Sequence, residues 1–491
     1  MKFNNWKLNI LKRKKVGVEL SAVDYDLIIV GCGAAGTASA LAAAEQAKAQ
    51  NENISIAILE RAPFEQRGGN TRWTAAYMRM ENIDTPAANF VEDLLTFSDN
   101  KMDQEYAKTL HKEAGETLRW IESKGVAFDF LPTMFLTASK PRLLPVGGGR
   151  AIIDTLTLRA RALGVEIIYD TTAWDLSLNE NGIINGIKVR IADGSSILLK
   201  TKAVILASGG FQGNAEMMAQ YIGRDAHKIP PVSEGGLFNK GEAIRMAMRI
   251  GAAGKGQFDS FHAETVDPRS KREEAGVMLF PYGILVNKQG QRFTDEGITT
   301  IDEQYEEVAR KIFYNCEDHI AYMITDQKMY RIPNYEDALQ TDISAIVADT
   351  LEQLAVNIGV PVENLKETVA TFNEACPEGE FTYNKVDGLA TTGLAINKSN
   401  WSIPINQGPF IAYPIICCNV FTNGGLATDV NGRVLTGDHV AIPGLYAVGE
   451  TSGVYYGKYP GGTSVLRCLV FGRRAGEDAV RYVCEQEKSY N

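Results

Sequence analysis

The stretch from Tyr25 to Glu60, YDLIIVGCGAAGTASALAAAEQAKAQNENISIAILE, constrains the fold more than any other part of the chain. Residues 27–30 form a short, continuous apolar run, typical of a parallel strand buried on both faces. Gly31, Gly33 and Gly36 follow with GxGxxG spacing, which permits a tight turn, a close approach of backbone to a pyrophosphate and close packing of helix on strand. The alanine-rich run after them predicts a helix whose N-terminus faces phosphate groups.

A second predicted strand, Ile54 to Leu59, ends in Glu60, which is placed to accept hydrogen bonds from a ribose hydroxyl. The gap between Gly36 and this acid is slightly longer than usual, and we attribute the excess to the polar connection QAKAQNEN. Because strand, glycines, helix, strand and acid occur in register, the segment predicts a dinucleotide-binding α/β unit. NAD and FAD both carry an adenosine ribose, so Glu60 alone does not choose between them.

Two later segments favour FAD. The residues from Arg67 to Ala76, RGGNTRWTAA, place glycines and hydroxyl or amide side chains directly after the ribose acid, where a longer cofactor would continue. Much later, IPGLYAVGETSG forms an apolar strand that ends in Gly449 and Glu450. Both elements suit the flavin half of FAD, which continues beyond the adenosine ribose.

Length and composition set the class of protein. A chain of 491 residues exceeds one ordinary core, so we expect more than one domain. A formal net charge of -10 argues against nucleic acid as a partner. The seven cysteines are scattered without a CxxC pair, which favours neither a disulfide framework nor a cysteine-bound cluster and is typical of the cytoplasm. We expect no metal site.

The N-terminal segment is basic but lacks the continuous apolar region and cleavage site of a signal peptide. We predict that residues 1–22 form a plain extension. A weak amphipathic membrane contact around Trp6 is the less favoured alternative. No run approaches the roughly 20 apolar residues that a spanning helix needs.

The combination of VGCGAAG with Glu60, AVILASGGF at 203–211, and GLYAVGE followed by GGTSVLRCLVFGRRAG resembles the flavoprotein family of succinate dehydrogenases and fumarate reductases. The resemblance covers nearly the whole chain. It implies an α/β fold with a Rossmann-type, glutathione-reductase-like FAD-binding domain in two pieces and an inserted α+β capping domain. We place the pieces at 23–256 and 422–491 and the cap at 257–421, with one continuous domain as the alternative.

The resemblance also implies how FAD is held. The backbone NH groups of 461–465 would face the flavin N1 and O2 side, where a helix N-terminus stabilises negative charge on the reduced ring. Relatives with covalent flavin attach it through a histidine after the ribose acid, whereas the first histidine here is His111, so we expect non-covalent FAD. The predicted FAD contacts are Gly31, Gly33, Ala34, Ala35, Gly36, Glu60, Arg61, Gly68, Gly69, Asn70, Thr71, Thr74, Ala173, Ser208, Gly209, Gly210, Gly449, Glu450, Gly462, Ser464 and Val465.

The chain departs from fumarate reductases at their substrate residues. The position of their proton-carrying arginine aligns with Ile301, and their histidine before the TxGGL element is replaced by Val420 and Phe421. Tyr459 and Pro460 replace the substrate-clamping arginine expected before the Gly-Gly of the C-terminal helix. His262, in FHAET, lies near the family's HPT element. We therefore predict that His262 holds a substrate carboxylate or carbonyl.

Two subgroups of the family remain open. Tricarballylate dehydrogenases resemble the chain in ERAPFEQRGGNTRW, YGILVNKQGQRFTDEG and YPGGTSV, and ketosteroid dehydrogenases also carry a tyrosine before Pro-Gly near the flavin. A polycarboxylate needs cations in the cleft, whereas a ketone needs hydroxyl groups. The candidate cations are Arg72 and Arg150, followed by Arg79, Arg142 and Arg292. The candidate hydroxyl groups are those of Tyr459 and Tyr282, followed by Tyr77, Tyr455 and Tyr456.

We therefore expect an FAD-dependent oxidoreductase acting on CH–CH groups. It would introduce or reduce a C=C bond next to a carboxylate, with a tricarballylate-like substrate favoured, by hydride transfer at flavin N5 and with a separate quinone or electron-transfer protein as acceptor. A desaturase of a cyclic ketone is the alternative, and a flavin redox sensor or electron carrier is the non-enzymatic one. The predicted catalytic residues are Tyr459, Tyr282, His262, Arg72 and Arg150.

Overall fold

A computed structural model describes residues 24–130 and 142–489 of the chain. The predicted extension 1–22 and its suggested membrane contact lie outside the described residues. Within the described ranges, no helix combines the length and apolar character needed to cross a membrane. In chain order, the strands are β1 (Leu27–Val30), β2 (Ile56–Leu59), β3 (Met80–Asn82), β4 (Thr85–Pro86), β5 (Phe128–Asp129), β6 (Leu144–Pro145), β7 (Glu166–Ile168), β8 (Thr172–Leu178), β9 (Ile184–Arg190), β10 (Ser196–Lys200), β11 (Ala203–Leu206), β12 (Gly254–Lys255), β13 (Phe261–Val266), β14 (Ile284–Val286), β15 (Ile320–Asp326), β16 (Ile346–Ala348), β17 (Phe410–Thr422), β18 (Gly425–Leu426), β19 (Arg433–Leu435) and β20 (Ala441–Ala447).

The chain also forms α-helices. They begin after glycine turns in several cases, as the turn signals in the sequence indicate. In chain order, the helices are α1 (Ala34–Ala49), α2 (Phe90–Phe97), α3 (Gln104–Lys124), α4 (Gly148–Ala162), α5 (Ala215–Met217), α6 (Glu242–Arg249), α7 (Ile301–Asn315), α8 (Leu351–Ile358), α9 (Val362–Ala375) and α10 (Ser464–Ser489).

The largest sheet has the strand order β19-β20-β11-β1-β2-β7. All neighbours pair in parallel except β19 and β20, which are antiparallel. Leu27 of β1 pairs with Ile56 on one side and with Ala203 on the other. Every residue of β1, β2 and β11 is buried, because helices α1 and α10 cover one face of this sheet and strands β8 and β9 pack against the other. The continuous apolar runs of the sequence thus became its central strands.

Two helices, α1 and α10, pack against each other over this sheet. Their approach depends on residues without long side chains, and α1 is built largely from buried alanines. A Cβ at Gly36 would lie 1.9 Å from the carbonyl oxygen of Gly31. Gly36 is therefore required for helix α1 to follow the turn so closely, while Gly31 itself takes a φ of 106°, which favours glycine.

A second sheet, antiparallel, has the order β13-β17-β15-β14, with β16 also paired to β17. Its strands lie between residues 261 and 422, whereas those of the first sheet come from 27–206 and 433–447. Helix α7 packs on β13 and β17. His262 pairs with Phe421 across β13 and β17, next to a shift in register at Ala263. This second sheet and its helices form the layer that covers one side of the site described next.

The chain crosses between the two sheets through neighbouring strands. Strand β12 precedes the second sheet and pairs antiparallel with β18, which follows it, so that Gly254 faces Leu426 and Lys255 faces Gly425. After the chain returns to the first sheet, the backbone NH of Ala447 in β20 donates a hydrogen bond to the carbonyl of Gly432, just before β19. As a result, the ends of β13 and β17 lie beside the turns of the first sheet.

Candidate active site

A cavity lies at the carboxyl ends of the parallel strands. The glycine turn after β1 and the first turn of α1 form one wall. Gly33 precedes this helix without a side-chain cap, and the first turn contains no acidic residue. The helix N-terminus therefore presents backbone NH groups and a positive dipole end to the cavity, as a pyrophosphate requires.

Glu60 stands at the end of β2 on the rim of the same cavity. Its Oε2 accepts a hydrogen bond of 2.8 Å from the backbone NH of Cys32, and its Oε1 accepts one of 2.8 Å from that of Ala62. Burial raises the pKa of this carboxyl above its ordinary value, although the amide bonds oppose the shift. The acid is thus fixed next to the glycine turn, at the place where a ribose hydroxyl would bind.

Most of the predicted FAD contacts line this cavity. The exceptions are Gly36, behind the turn, Gly68, Gly210 and Gly462. A Cβ at Gly210 would lie 2.1 Å from the Thr422 hydroxyl oxygen, so this glycine serves packing, and Gly462 lines the neighbouring cavity instead. The predicted contacts found in the cavity wall are Gly31, Gly33, Ala34, Ala35, Glu60, Arg61, Gly69, Asn70, Thr71, Thr74, Ala173, Ser208, Gly209, Gly449, Glu450, Ser464 and Val465.

Glu450 lines the cavity but is also tied to the second sheet. Its Oε1 accepts a hydrogen bond of 2.8 Å from the amide of Thr422, and its Oε2 accepts longer bonds from the side-chain amides of Gln212 and Asn239. Burial raises the pKa of this carboxyl. Glu450 therefore links the end of β17 to the first sheet at the cavity wall.

A second cavity adjoins the first. It is enclosed by the turns after β2, by helix α7, by strand β13 and by the segment before α10. Its wall includes side chains from segments far apart in sequence. The residues that line both cavities, and so mark where they meet, are Thr74, Glu274, Val420, Phe421, Ser464 and Val465.

Aromatic rings pack around His262 in this second cavity. The centroid of the imidazole lies 4.6 Å from the Tyr459 ring, 4.9 Å from the Phe421 ring and 5.6 Å from the Tyr305 ring. The imidazole is 3% exposed, and both nitrogens have partners, Glu306 at Nδ1 and Tyr305 at Nε2. His262 lies in the cavity as a member of a hydrogen-bonded aromatic wall.

Tyr459 contributes its ring to the cavity and its hydroxyl to a helix. The hydroxyl oxygen accepts hydrogen bonds from the backbone NH groups of Thr463 at 3.0 Å and Ser464 at 2.9 Å, and the hydroxyl donates to the Ser464 Oγ at 3.0 Å. Tyr459 thereby caps the N-terminus of α10, whose first residues, Ser464 and Val465, also line the first cavity.

Two arginines line the second cavity, and each contacts a carboxylate. Arg79 pairs with Asp93 and donates to the carbonyl of Pro460 at 2.8 Å. Arg142 Nη2 lies 3.2 Å from Asp302 Oδ2, and the side chains of both partners are nearly buried. Because these charges are paired, the cavity offers an added carboxylate less attraction than its arginines alone suggest.

Two buried carboxyl groups, Glu264 and Glu274, also line the second cavity. Burial raises the pKa of both, and the charge of Glu274 raises that of Glu264 further, while a Thr74 hydroxyl opposes the shift at Glu274. The Glu264 Oε2 has no hydrogen-bond partner among the described residues. Sequence analysis missed both acids, although Glu264 follows His262 by two positions and so points to the same side of a strand. Glu274 lies in a loop that carries no such signal.

The structure moves three of the predicted catalytic residues away from both cavities. Arg72 Nη1 binds Asp154 Oδ1 at 3.0 Å, and Arg150, whose side chain is 68% exposed, lies 3.5 Å from the same carboxylate. Tyr282 is buried in the core under the second sheet, where its hydroxyl donates to the carbonyl of Tyr383 at 2.7 Å. Sequence order suggested proximity to the flavin, but Asp154 and the core hold these side chains elsewhere.

The remaining candidates divide in the same way. Arg79, Arg142 and Tyr77 line the second cavity, whereas Arg292 pairs with Glu296 in the other layer. Tyr455 is buried and shares a hydrogen bond of 2.8 Å with the Thr463 hydroxyl. Tyr456 accepts a hydrogen bond from the amide of Gly256. Within the described residues, no group of three or more His, Cys, Asp or Glu side chains is arranged to hold a metal ion.

Comparison with known proteins agrees with this geometry. The family model described as an FAD binding domain matches residues 26–466. Vinyl phenol reductase of Lactiplantibacillus plantarum is 27% identical over 94% of this chain and 97% of its own length. NADH:acrylate oxidoreductase of Vibrio harveyi is 31% identical over 76% of this chain, which corresponds to 36% of that protein.

Among solved structures, the open conformation of a flavocytochrome c3 fumarate reductase superposes with a TM-score of 0.76 at 25% identity, covering 97% of this chain and 81% of that one. The predicted fold class and family resemblance are thereby confirmed. The chain belongs to the FAD binding domain family, among the flavoproteins related to fumarate reductases, and is an FAD-dependent oxidoreductase.

Proposed function

We propose that this protein uses FAD to reduce a C=C bond conjugated to an aromatic ring or a carbonyl group, in a small molecule that carries at most one negative charge. The observation that carries this proposal is the second cavity, which opens onto the cofactor cavity and combines an aromatic wall with arginines that are already paired. We refer to it from here as the substrate cavity, and to the first cavity, whose wall includes the glycine turn after β1, as the cofactor cavity.

The charges in the substrate cavity argue against the tricarballylate-like substrate that the sequence favoured. Its two arginines contact Asp93 and Asp302, and further acids lie in the wall, including Glu303 and the pair Glu264 and Glu274. A tricarboxylate would have to lose its hydration next to these acids without a matching set of cations. A neutral or singly charged substrate avoids that cost.

The aromatic wall and the acid pair suit a flat molecule with a hydroxyl or carbonyl group. Rings of Phe421, Tyr459 and Tyr305 surround the imidazole of His262, and such surfaces favour an aromatic or conjugated partner. The Glu264 Oε2, buried and without a partner among the described residues, would be satisfied by a substrate hydroxyl. A hydroxylated aryl alkene, the kind of compound named in the Lactiplantibacillus relative, meets both conditions.

The cofactor cavity fits FAD in the chemistry of its walls. An ideal Cβ at Gly33 would have only the Gly68 carbonyl oxygen nearby, at 3.7 Å, so the backbone there leaves room for a phosphate. Glu60 would hold the adenosine ribose, and Ser464 and Val465, at the start of α10, would lie at the ring where both cavities meet. Bound FAD supplies the hydride for one alkene carbon.

The residues of this chain then bind and orient the alkene over that ring. Val420 and Phe421 separate the two cavities with apolar side chains and exclude water from the reacting carbons. The N-terminal dipole of α10 favours negative charge on its side of the site. Electrons would arrive from a separate donor, either a reduced soluble carrier such as NADH or an electron-transfer protein or quinol.

We further propose that FAD is bound without a covalent link. No histidine occurs among the described residues that line the cofactor cavity. Of the two cysteines there, Cys32 is buried, and burial raises the pKa of its thiol to about 12, which keeps it unreactive. Acid precipitation of the purified protein should leave all FAD in the supernatant, and yellow colour in the pellet would contradict this.

A cyclic enone is the second candidate substrate, supported by Tyr459. Its hydroxyl lies with the backbone NH groups of Thr463 and Ser464 at the junction of the two cavities, so a rotation of the hydroxyl proton would offer a donor to a keto oxygen. The same chemistry run in reverse would desaturate a cyclic ketone.

A single-turnover substrate panel tests the proposal. The FAD-loaded protein is reduced anaerobically with one equivalent of dithionite and mixed with 4-vinylphenol, styrene, urocanate, acrylate, fumarate, cis-aconitate or cyclohexenone, while the visible absorbance of oxidised flavin is followed. We expect fast reoxidation with 4-vinylphenol or a monoanionic alkene, slower reoxidation with styrene, which lacks the hydroxyl, and little with fumarate or cis-aconitate. Reoxidation by the di- and tricarboxylates alone would contradict the proposal, and a preference for cyclohexenone would support the second candidate.

A further inference from the structure

A chain of hydrogen bonds runs from the substrate cavity towards the surface. The Tyr305 hydroxyl lies 3.1 Å from His262 Nε2, and His262 Nδ1 lies 3.0 Å from Glu306 Oε2. The other oxygen of Glu306 contacts Arg310, whose guanidinium also donates to the Ser260 hydroxyl at 3.1 Å. Every link joins groups that carry or accept protons.

Exposure rises along this chain in one direction. Tyr305 and His262 line the substrate cavity. The side chain of His262 is 4% exposed, that of Glu306 is 12% exposed and that of Arg310 is 26% exposed. The chain therefore connects the reacting space with solvent through groups that are progressively wetter.

The position of Tyr305 on α7 explains why it faces the cavity. Ile301 begins this helix and also lines the cavity, but its alkyl side chain cannot carry a proton. Tyr305 is four positions later and so lies on the same face of the helix, one turn along. Glu306 and Arg310 are again four apart, which brings their side chains together beside His262.

We propose that Tyr305 donates the proton that completes alkene reduction and that His262, positioned by Glu306, returns a proton to Tyr305. This inference rests on the proposed function. The hydride adds to one alkene carbon with two electrons, and the O–H bond of Tyr305 breaks as a C–H bond forms at the other carbon. His262, held as an imidazolium between the Glu306 carboxylate and Tyr305, then gives its Nε2 proton to the Tyr305 oxygen, and a proton from solvent restores the imidazolium. No electrons move along this relay.

The surroundings keep Tyr305 in its neutral, proton-bearing form. Burial raises the pKa of its hydroxyl well above the ordinary value, and the nearby Glu264, Glu306 and Tyr459 raise it further, while Arg142 lowers it. The hydroxyl of Tyr305 therefore carries its proton across the neutral range and can transfer it once hydride addition has made the other alkene carbon basic. The hydroxyl of Tyr459 is instead held by the backbone NH groups at the start of α10.

The first test replaces one hydroxyl and keeps the ring. Tyr305→Phe is compared with Tyr314→Phe, a matched control on the same helix whose side chain is largely exposed and lies outside the substrate cavity. With the best alkene of the panel, we expect Tyr305→Phe to slow flavin reoxidation by about 100-fold or more, while substrate affinity changes by less than about threefold. Tyr314→Phe should match wild type, and equal FAD content would show that each variant folds.

Reoxidation at the wild-type rate in Tyr305→Phe would overturn the proposal, as would a loss confined to substrate affinity. Loss of proton transfer in Glu264→Gln with an unaffected Tyr305→Phe would assign the proton to the acid pair instead. Product formed in deuterium oxide should carry deuterium on the carbon that does not receive the hydride.

The positioning role of Glu306 is tested separately. Glu306→Gln should slow steady-state turnover by about tenfold and increase its solvent isotope effect, because return of the proton to Tyr305 becomes limiting, and Glu306→Asp should restore part of the rate. A wild-type rate and isotope effect in Glu306→Gln would overturn the relay.

A readout without turnover separates this inference from the proposed function. The chain has five histidines, so 15N-histidine labelling gives a simple NMR spectrum of the apoprotein. Tyr305→Phe and Glu306→Gln should each shift the His262 imidazole signals, assigned by their loss in His262→Asn, and Tyr314→Phe should not. If no alkene oxidises the wild-type flavin, the proposed function fails, whereas unshifted His262 signals overturn the relay for any substrate.

Discussion

The two cavities adjoin each other and share part of their walls, but they are built in different ways. The cofactor cavity is walled largely by turns of glycine, alanine and small hydroxyl residues at the ends of parallel strands, with Glu60 on its rim. The substrate cavity is walled by long side chains from distant segments, including Arg79, Arg142, His262 and Glu264.

This difference separates two kinds of recognition. A pyrophosphate is bound by backbone NH groups and a helix dipole, which any sequence that forms the turn will provide. A substrate is bound by side chains whose charge depends on what else they contact. Arg142, which lies beside Asp302, attracts a carboxylate ligand less strongly than an arginine with no acid nearby would.

The largest expected effect concerns the cofactor cavity and two glycines of the GxGxxG segment after β1, Gly33 and Gly36. Gly36→Ala places a Cβ 1.9 Å from the Gly31 carbonyl oxygen and should lower the free energy of unfolding of the apoprotein by about 3 kcal/mol. Gly33→Ala has space in the apoprotein but fills the position of the phosphate. It should leave apoprotein melting unchanged and weaken FAD binding by about tenfold or more.

Thermal melting of both apoproteins and titration with FAD provide the measurements. If Gly33→Ala destabilised the apoprotein as much as Gly36→Ala, the distinction between a packing glycine and a ligand-facing glycine would be wrong.

The next prediction concerns the paired charges of the substrate cavity. Asp302→Asn keeps the shape of the side chain but removes the carboxylate 3.2 Å from Arg142. We expect the Michaelis constant for a monocarboxylate alkene such as acrylate to fall about tenfold, equivalent to ~1.4 kcal/mol, while that for 4-vinylphenol changes little. Steady-state kinetics with both substrates measure this shift in preference. An equal change for the charged and uncharged alkenes would show that pairing does not control selectivity.

A smaller effect is expected from the acid pair Glu264 and Glu274, on the pH dependence of protein stability. The folded protein holds the protons of Glu264 and Glu274 more tightly than the unfolded chain, whose glutamates titrate near 4.5. The stability that this pair contributes is therefore greatest below that pH and decreases as the pH rises through the raised values of the folded state. The melting temperature should fall between about pH 5 and about pH 8, and it should fall less in Glu264→Gln. Parallel pH curves for the two proteins would contradict the raised pKa values.

The smallest effect is expected at Tyr282, which lies outside both cavities. Tyr282→Phe removes the hydrogen bond to the Tyr383 carbonyl and should lower the free energy of unfolding by about 1 kcal/mol. Its kcat and KM should equal those of wild type. A loss of kcat without a loss of stability would return Tyr282 to the catalytic site.

The parts predicted best from sequence are those set by local geometry. The central strand, the glycine turn and the acid after β2 lie close together in sequence, so spacing alone placed Gly31, Gly33 and Glu60. Ser464 and Val465 line the cofactor cavity as the family resemblance implied. The substrate residues were predicted less well. Arg72 and Arg150 lie beside flavin-binding elements in the sequence, but in the structure both contact Asp154.

The sequence by itself determined a dinucleotide-binding α/β unit, the family and an oxidoreductase, since glycine spacing, buried strands and helix starts are encoded within short segments. The tertiary structure decided which side chains face the substrate. It paired Arg79 and Arg142 with acids, buried Glu264 beside Glu274 and brought Tyr305 to His262. These outcomes depend on segments that meet only after the second sheet covers the first, and charge and hydrogen bonding at a site are properties of that meeting.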